Sequence, residues 1–100
     1  MLNITNSVKE EELTVALEGR LDTTTAPQLE DSLHASLEGT EKLVFDLEKL
    51  QYISSAGLRV LLSAQKMMNK KSGMVIRNAS DEVREIFEVT GFSDILTIED

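Results

Sequence analysis

Two adjacent hydroxyls, Ser54 and Ser55, stand between the apolar run Leu43-Val44-Phe45-Asp46-Leu47 and a helical pattern carried by Leu58, Leu61, Leu62 and Met68. A helix N-terminus presents unpaired backbone N–H groups and favours negative charge, so hydroxyls placed there can cap the helix, accept a phosphate, or do both. Local chemistry leaves the two readings open. A phosphate would add about −1.5 to −2 charge at neutral pH, which the helix dipole tolerates, so the fold should survive modification. A partner packed on that helix end would instead have to desolvate a bulky dianion without a prepared cation, and binding would fall by orders of magnitude. Modification at this spot therefore acts on an interface rather than on folding.

Other chemistry is poorly supplied. His34 is the only histidine, and it follows Leu33 in a predicted helix, far in sequence from either serine; it reads as a surface or boundary residue. Neither a Gly-x-Ser-x-Gly elbow nor a glycine-rich or Lys-Ser/Thr phosphate loop occurs. Asp22 and Asp46 lie near the C-terminal ends of predicted strands, where open α/β sheets build their sites, but two scattered carboxylates are a weak basis for a metal. There is no cysteine, hence no disulfide and no thiolate. The reading is a chain that is not an enzyme and needs no metal or cofactor, with serines that either cap a helix or are the target of another enzyme.

The elements that would position these serines follow from periodicity and caps. Leu13, Val15 and Leu17 alternate with Thr14, Ala16 and Glu18 as one strand, and residues 2–8 form a weaker antiparallel partner across the turn Lys9-Glu10-Glu11-Glu12. Thr25-Ala26-Pro27-Gln28 carries a Thr-x-x-Gln capping box with proline in the first turn, and Leu29, Leu33 and Leu37 line the helix that follows. A strand over 43–47, a helix over 55–71 ended by Gly73, and the apolar run Met74-Val75-Ile76 come next. Ser80 caps a third helix with Asp81 and Glu82 in its first turn, Val83, Ile86, Phe87 and Thr90 inward, and Gly91 at its end. Ile95, Leu96 and Ile98 suggest a last short strand or docked tail. The order β-β-α-β-α-β-α-β implies an α/β fold with a mixed sheet of four to five strands.

Composition sets the outer bounds. One hundred residues with 41% apolar side chains suit one domain over residues 1–100. Eighteen acidic against ten basic side chains give a net charge of −8, which opposes binding to nucleic acid and to anionic lipid headgroups. The first residues show no basic segment followed by an apolar stretch, and no apolar run exceeds three residues. A soluble, cytoplasmic protein without membrane insertion is the expectation.

Three segments carry a family resemblance: Glu18-Gly19-Arg20-Leu21-Asp22, Leu47-x-x-Leu50-x-Tyr52-Ile53-Ser54-Ser55-Ala56-Gly57-Leu58, and Thr90-Gly91-Phe92-x-Asp94-Ile95. Together, in this order and over nearly the whole chain, they resemble the STAS domain of bacterial anti-sigma factor antagonists. The resemblance implies a non-enzymatic switch. Its unphosphorylated form binds an anti-sigma factor that is also a serine kinase, freeing the sigma factor; phosphorylation of one serine turns it off, and a serine phosphatase restores it. The Gly-Leu pair falls on Gly57-Leu58, which makes Ser55 the match to the phosphorylated serine, ahead of Ser54, which stands where many members have Asp. Ala56 takes the small position after the acceptor. The family's binding surface also uses the loop before the first helix, here Asp22, Thr23, Thr24 and Thr25. Arg59, one turn beyond Ser55, is placed to touch the partner or pair with the phosphate. Gly57, lacking Cβ, would let another backbone approach the helix end. The alternative within the resemblance is a STAS subunit of a membrane transport complex in fixed contact with an ATPase, which stable copurification of that ATPase would mark.

Overall fold

The computed structural model describes residues 2–37 and 39–99. β1 (Leu2–Lys9) and β2 (Glu12–Leu21) pair antiparallel from Leu2↔Gly19 to Lys9↔Glu12, so the connection is just Glu10 and Glu11. Then come α1 (Ala26–Ser36), β3 (Lys42–Ile53), α2 (Ser55–Met68), β4 (Met74–Arg77), α3 (Asp81–Thr90), a single 3₁₀ turn over Phe92–Asp94, and β5 (Ile98–Glu99). The five strands form one sheet in the order β1-β2-β3-β4-β5, parallel from β2 onward. This is the mixed sheet the element order predicts.

The register stacks the core. Leu13 pairs with Leu43 and Leu43 with Met74, while Val15 pairs with Phe45 and Phe45 with Ile76, so six apolar side chains share one face. Leu29, Leu33 and Leu37 from α1, Leu58, Leu61 and Met68 from α2, and Val83 and Phe87 from α3 join the same buried cluster. Fully burying each such side chain contributes about 1.5–3 kcal/mol before entropy is counted.

Two elements differ from the sequence expectation. β3 runs to Ile53, well past residue 47, because two register shifts against β2, at Ala16/Glu18 and Gly19/Arg20, absorb its extra residues. Its buried residues from the first shift onward, Leu47, Leu50 and Ile53, are therefore three apart, a spacing that does not read as a strand. α2 stops at Met68 rather than residue 71. Lys71 turns back there, its Nζ donating to the Thr40 carbonyl at 2.7 Å. In α3, Ser80 Oγ accepts from the Val83 N–H at 3.2 Å, and Gly91 ends the helix at φ 81°, where a side chain would be strained. Thr90 is not inward as its spacing suggested: it is exposed, and its hydroxyl donates to the Ile86 carbonyl at 2.6 Å.

Candidate functional site

The exits of β2 and β3 are tied together, because the Ser54 N–H donates to the Leu21 carbonyl at 2.8 Å. That bond sets the loop after Leu21 beside the start of α2. Ser54 is extended (φ −98°, ψ 175°), and its Oγ accepts from the Gly57 N–H at 3.4 Å, so it is the N-cap. Ser55 is the first residue of α2 and exposed, and among the described hydrogen bonds its hydroxyl takes part in none. The first turn of α2 holds no acidic residue, whereas that of α3 holds Asp81 and Glu82. The positive end of the α2 dipole therefore carries an open place for negative charge, next to an unused hydroxyl.

The loop Asp22–Thr25 departs from the capping box expected at Thr25. Thr25 is buried and helical, and its side chain caps nothing in α1. Its hydroxyl faces back into the loop, donating to the Arg20 carbonyl at 2.9 Å and accepting from the Asp22 N–H at 2.8 Å. Gln28 Nε2 donates instead to the Leu2 carbonyl, at 3.2 Å. The acceptor in the turn ahead of α1 is Asp22, whose Oδ1 receives the Thr24 N–H at 3.0 Å and the Thr25 N–H at 3.1 Å. The Thr25 N–H is the main cause that holds the Asp22 carboxyl below its ordinary pKa. The Thr24 N–H, the Thr25 hydroxyl and the Arg20 charge act the same way, against some desolvation. Thr23 and Thr24 are exposed at the loop tip.

Gly57 is glycine for a reason inside the domain. A Cβ there would lie 2.6 Å from Leu21 Cγ and 2.9 Å from Ile53 Cγ1, both core side chains. The residue is buried toward those strand ends, so the close approach it permits is that of its own sheet. Thr25, likewise buried, is loop scaffold rather than a contact surface. Of the predicted contacts, Asp22, Thr23, Thr24, Ser54, Ser55, Ala56 and Arg59 keep some or all of their surface.

Arg59 is exposed, and among the described residues it makes no ion pair. It lines a shallow cleft of about 250 Å³ between the starts of α1 and α2, with Thr23, Ala26, Pro27, Glu30, Ala56 and Val60. Two further residues join the site that periodicity did not indicate. Arg20 lies over the Tyr52 ring at 4.4 Å and has its Nε 3.7 Å from Asp22 Oδ2. They meet because Arg20 and Tyr52 are register partners after both bulges, which no local sequence signal reveals. His34 is exposed on α1, and Asp46 Oδ1 is occupied by the Glu48 N–H and Asn78 Nδ2. Among the described residues no group of three or more His, Cys, Asp and Glu side chains could hold a metal. Among them, too, no helix is long and apolar enough to cross a membrane.

Comparison with known proteins bears on the fold and the family. A protein assigned as anti-sigma factor antagonist BtrV, from Bordetella bronchiseptica, is 40% identical over 88 residues, covering 86% of this chain and 76% of its own. The anti-sigma-B factor antagonist of Staphylococcus aureus is 30% identical over 99 residues, covering 97% and 92%. These relatives are regulatory proteins, not enzymes. Among solved structures, an anti-sigma factor antagonist from Mycobacterium paratuberculosis superposes with a TM-score of 0.89 at 22% identity, over 98% of this chain and 85% of that one. The Bacillus cell fate determinant SpoIIAA in its phosphorylated form gives 0.73 at 17% identity, over 100% and 92%. The family model of the STAS domain matches residues 3–100, and the chain belongs to that family.

Proposed function

We propose that this chain, as one STAS domain over residues 1–100, is an anti-sigma factor antagonist switched at Ser55. Unphosphorylated, it binds a cytoplasmic anti-sigma factor with serine kinase activity through the start of α2 and the Asp22–Thr24 loop, and the sigma factor is released. The kinase then moves the γ-phosphoryl of ATP to Ser55. A bond forms between Oγ and phosphorus, the bond to the β-phosphate oxygen breaks, ADP leaves, and the hydroxyl proton passes to a base of the kinase. A serine phosphatase reverses the step by hydrolysis.

One observation carries this reading: of two adjacent serines, only Ser55 has an exposed hydroxyl uncommitted to the fold, at a helix start with no acid in its first turn. The phosphate would add about −1.5 to −2 charge where the dipole accepts it, so α2 persists while the partner must desolvate a dianion. Arg59, one turn on, is the nearest cation along the helix that could pair with it. The test is to locate the phosphate by mass spectrometry after incubation with the cognate kinase and ATP, and to measure binding before and after.

A further inference from the structure

Both edges of the sheet are open among the described residues, and they differ. β5 is two residues long and includes Glu99, the kind of short, charged edge that resists pairing. β1 is eight residues long, pairs only with β2, and from Leu2 to Val8 carries no charge, in a chain whose net charge is −8. It has no bulge, its register with β2 is continuous, and no proline interrupts it. Asn6 also fixes it to α1, with Nδ2 donating to Ser32 Oγ and Ser36 Oγ at 3.3 Å each. Nearby, Val8 is 69% exposed, an apolar side chain left in water beside the turn.

We propose that β1 is a self-association edge, and that its occupant is β1 of a second copy, antiparallel about a two-fold axis at Asn6. That register sets Val8 opposite Ile4 of the second copy, Ser7 opposite Thr5, and Lys9 opposite Asn3. Ile4 is half-buried and packed against the core, so the exposed Val8 gains an apolar neighbour on the face it already occupies, twice per dimer. Charge selects the antiparallel sense. The acidic turns at Glu10 and Glu11 then lie at opposite ends, about 27 Å apart at about 3.4 Å per residue, beyond the roughly 10 Å screening length of 0.1 M salt. Parallel pairing would stack them at strand spacing. The start of α2 continues from β3, two strands in from this edge, so pairing along β1 leaves both copies of Ser55 open.

The experiment is sedimentation equilibrium of the whole chain from micromolar to millimolar concentration, at low and high salt. The expected weight-average mass rises from 11.1 kDa toward twice that value, further at high salt because screening relieves repulsion between two acidic copies. Thr5→Lys with Val8→Lys, both at exposed positions, should hold the mass at the monomer value even though they lower the net negative charge. Val89→Lys, at a position 80% exposed on α3, should leave association unchanged. A wild-type mass that stays at 11.1 kDa throughout overturns the proposal, whether the edge is idle or kept for a strand of another protein. So does association that survives the β1 lysines or is abolished by Val89→Lys.

Discussion

Ser54 and Ser55 are neighbours with different employment: the first accepts the Gly57 N–H as the cap of α2, and the second offers its hydroxyl to solvent. Their alanine variants should separate. The 3.4 Å capping bond is long, so Ser54→Ala should cost about 0.5 kcal/mol, the low end for a lost N-cap, or about 2–4 °C in melting temperature. Ser55→Ala should stay near wild type, as exposed substitutions do. Calorimetry showing Ser55→Ala as the more damaging change would contradict the assignment of roles. Asp22 adds a pH dependence. Folding favours its ionised form, so this contribution is present at neutral pH and disappears as pH falls through the depressed folded-state value. NMR titration should show the Asp22 carboxyl changing below the ordinary Asp value of about 3.9, with the Thr24 and Thr25 amides following it. A midpoint at or above that value would mean the loop bonds do not hold in solution.

At the scale of elements, the junction of β2, β3 and α2 depends on one missing side chain. Gly57→Ala gains about 0.8–1.0 kcal/mol of helix propensity but drives a methyl into Leu21 and Ile53, which are 0% and 2% exposed and have little room to move. Overpacking of this kind costs about 1–3 kcal/mol, so net destabilisation is expected, seen as a lower denaturant midpoint with an unchanged slope. A variant more stable than wild type would show that the junction has slack. The order of elements was legible because helix and strand periods are local properties, as are the caps at Ser54 and Ser80 and the stop at Gly91. The far half of β3 was not, since its bulges set Leu47, Leu50 and Ile53 three apart and only pairing with β2 makes that spacing a strand. The Thr25 capping box was a false local signal: a tertiary contact took Gln28 to the Leu2 carbonyl, and Asp22 took the Thr24 and Thr25 N–H groups in the turn ahead of α1.

For the molecule as a whole, the parallel sheet gathers at one end what the sequence scatters. The Asp22–Thr25 loop follows β2, Ser54 and Ser55 follow β3, and one backbone bond between Leu21 and Ser54 makes them a single surface. The serines and the loop were legible through motif and spacing, whereas the stack of Arg20 on Tyr52 beside Asp22 needed the register and both bulges. The net charge of −8 opposes contact between copies, and β1 from Leu2 to Val8 carries none of that charge. Arg59, exposed and in no ion pair among the described residues, stands one turn from Ser55.

Phosphosite mapping is the most direct test of the switch. After incubation with the cognate kinase and ATP, fragmentation spectra should place one phosphate on Ser55, and the modified chain should lose its affinity for the kinase while keeping its fold by circular dichroism. A phosphate found chiefly on Ser54, or anywhere outside this pair, would contradict the account.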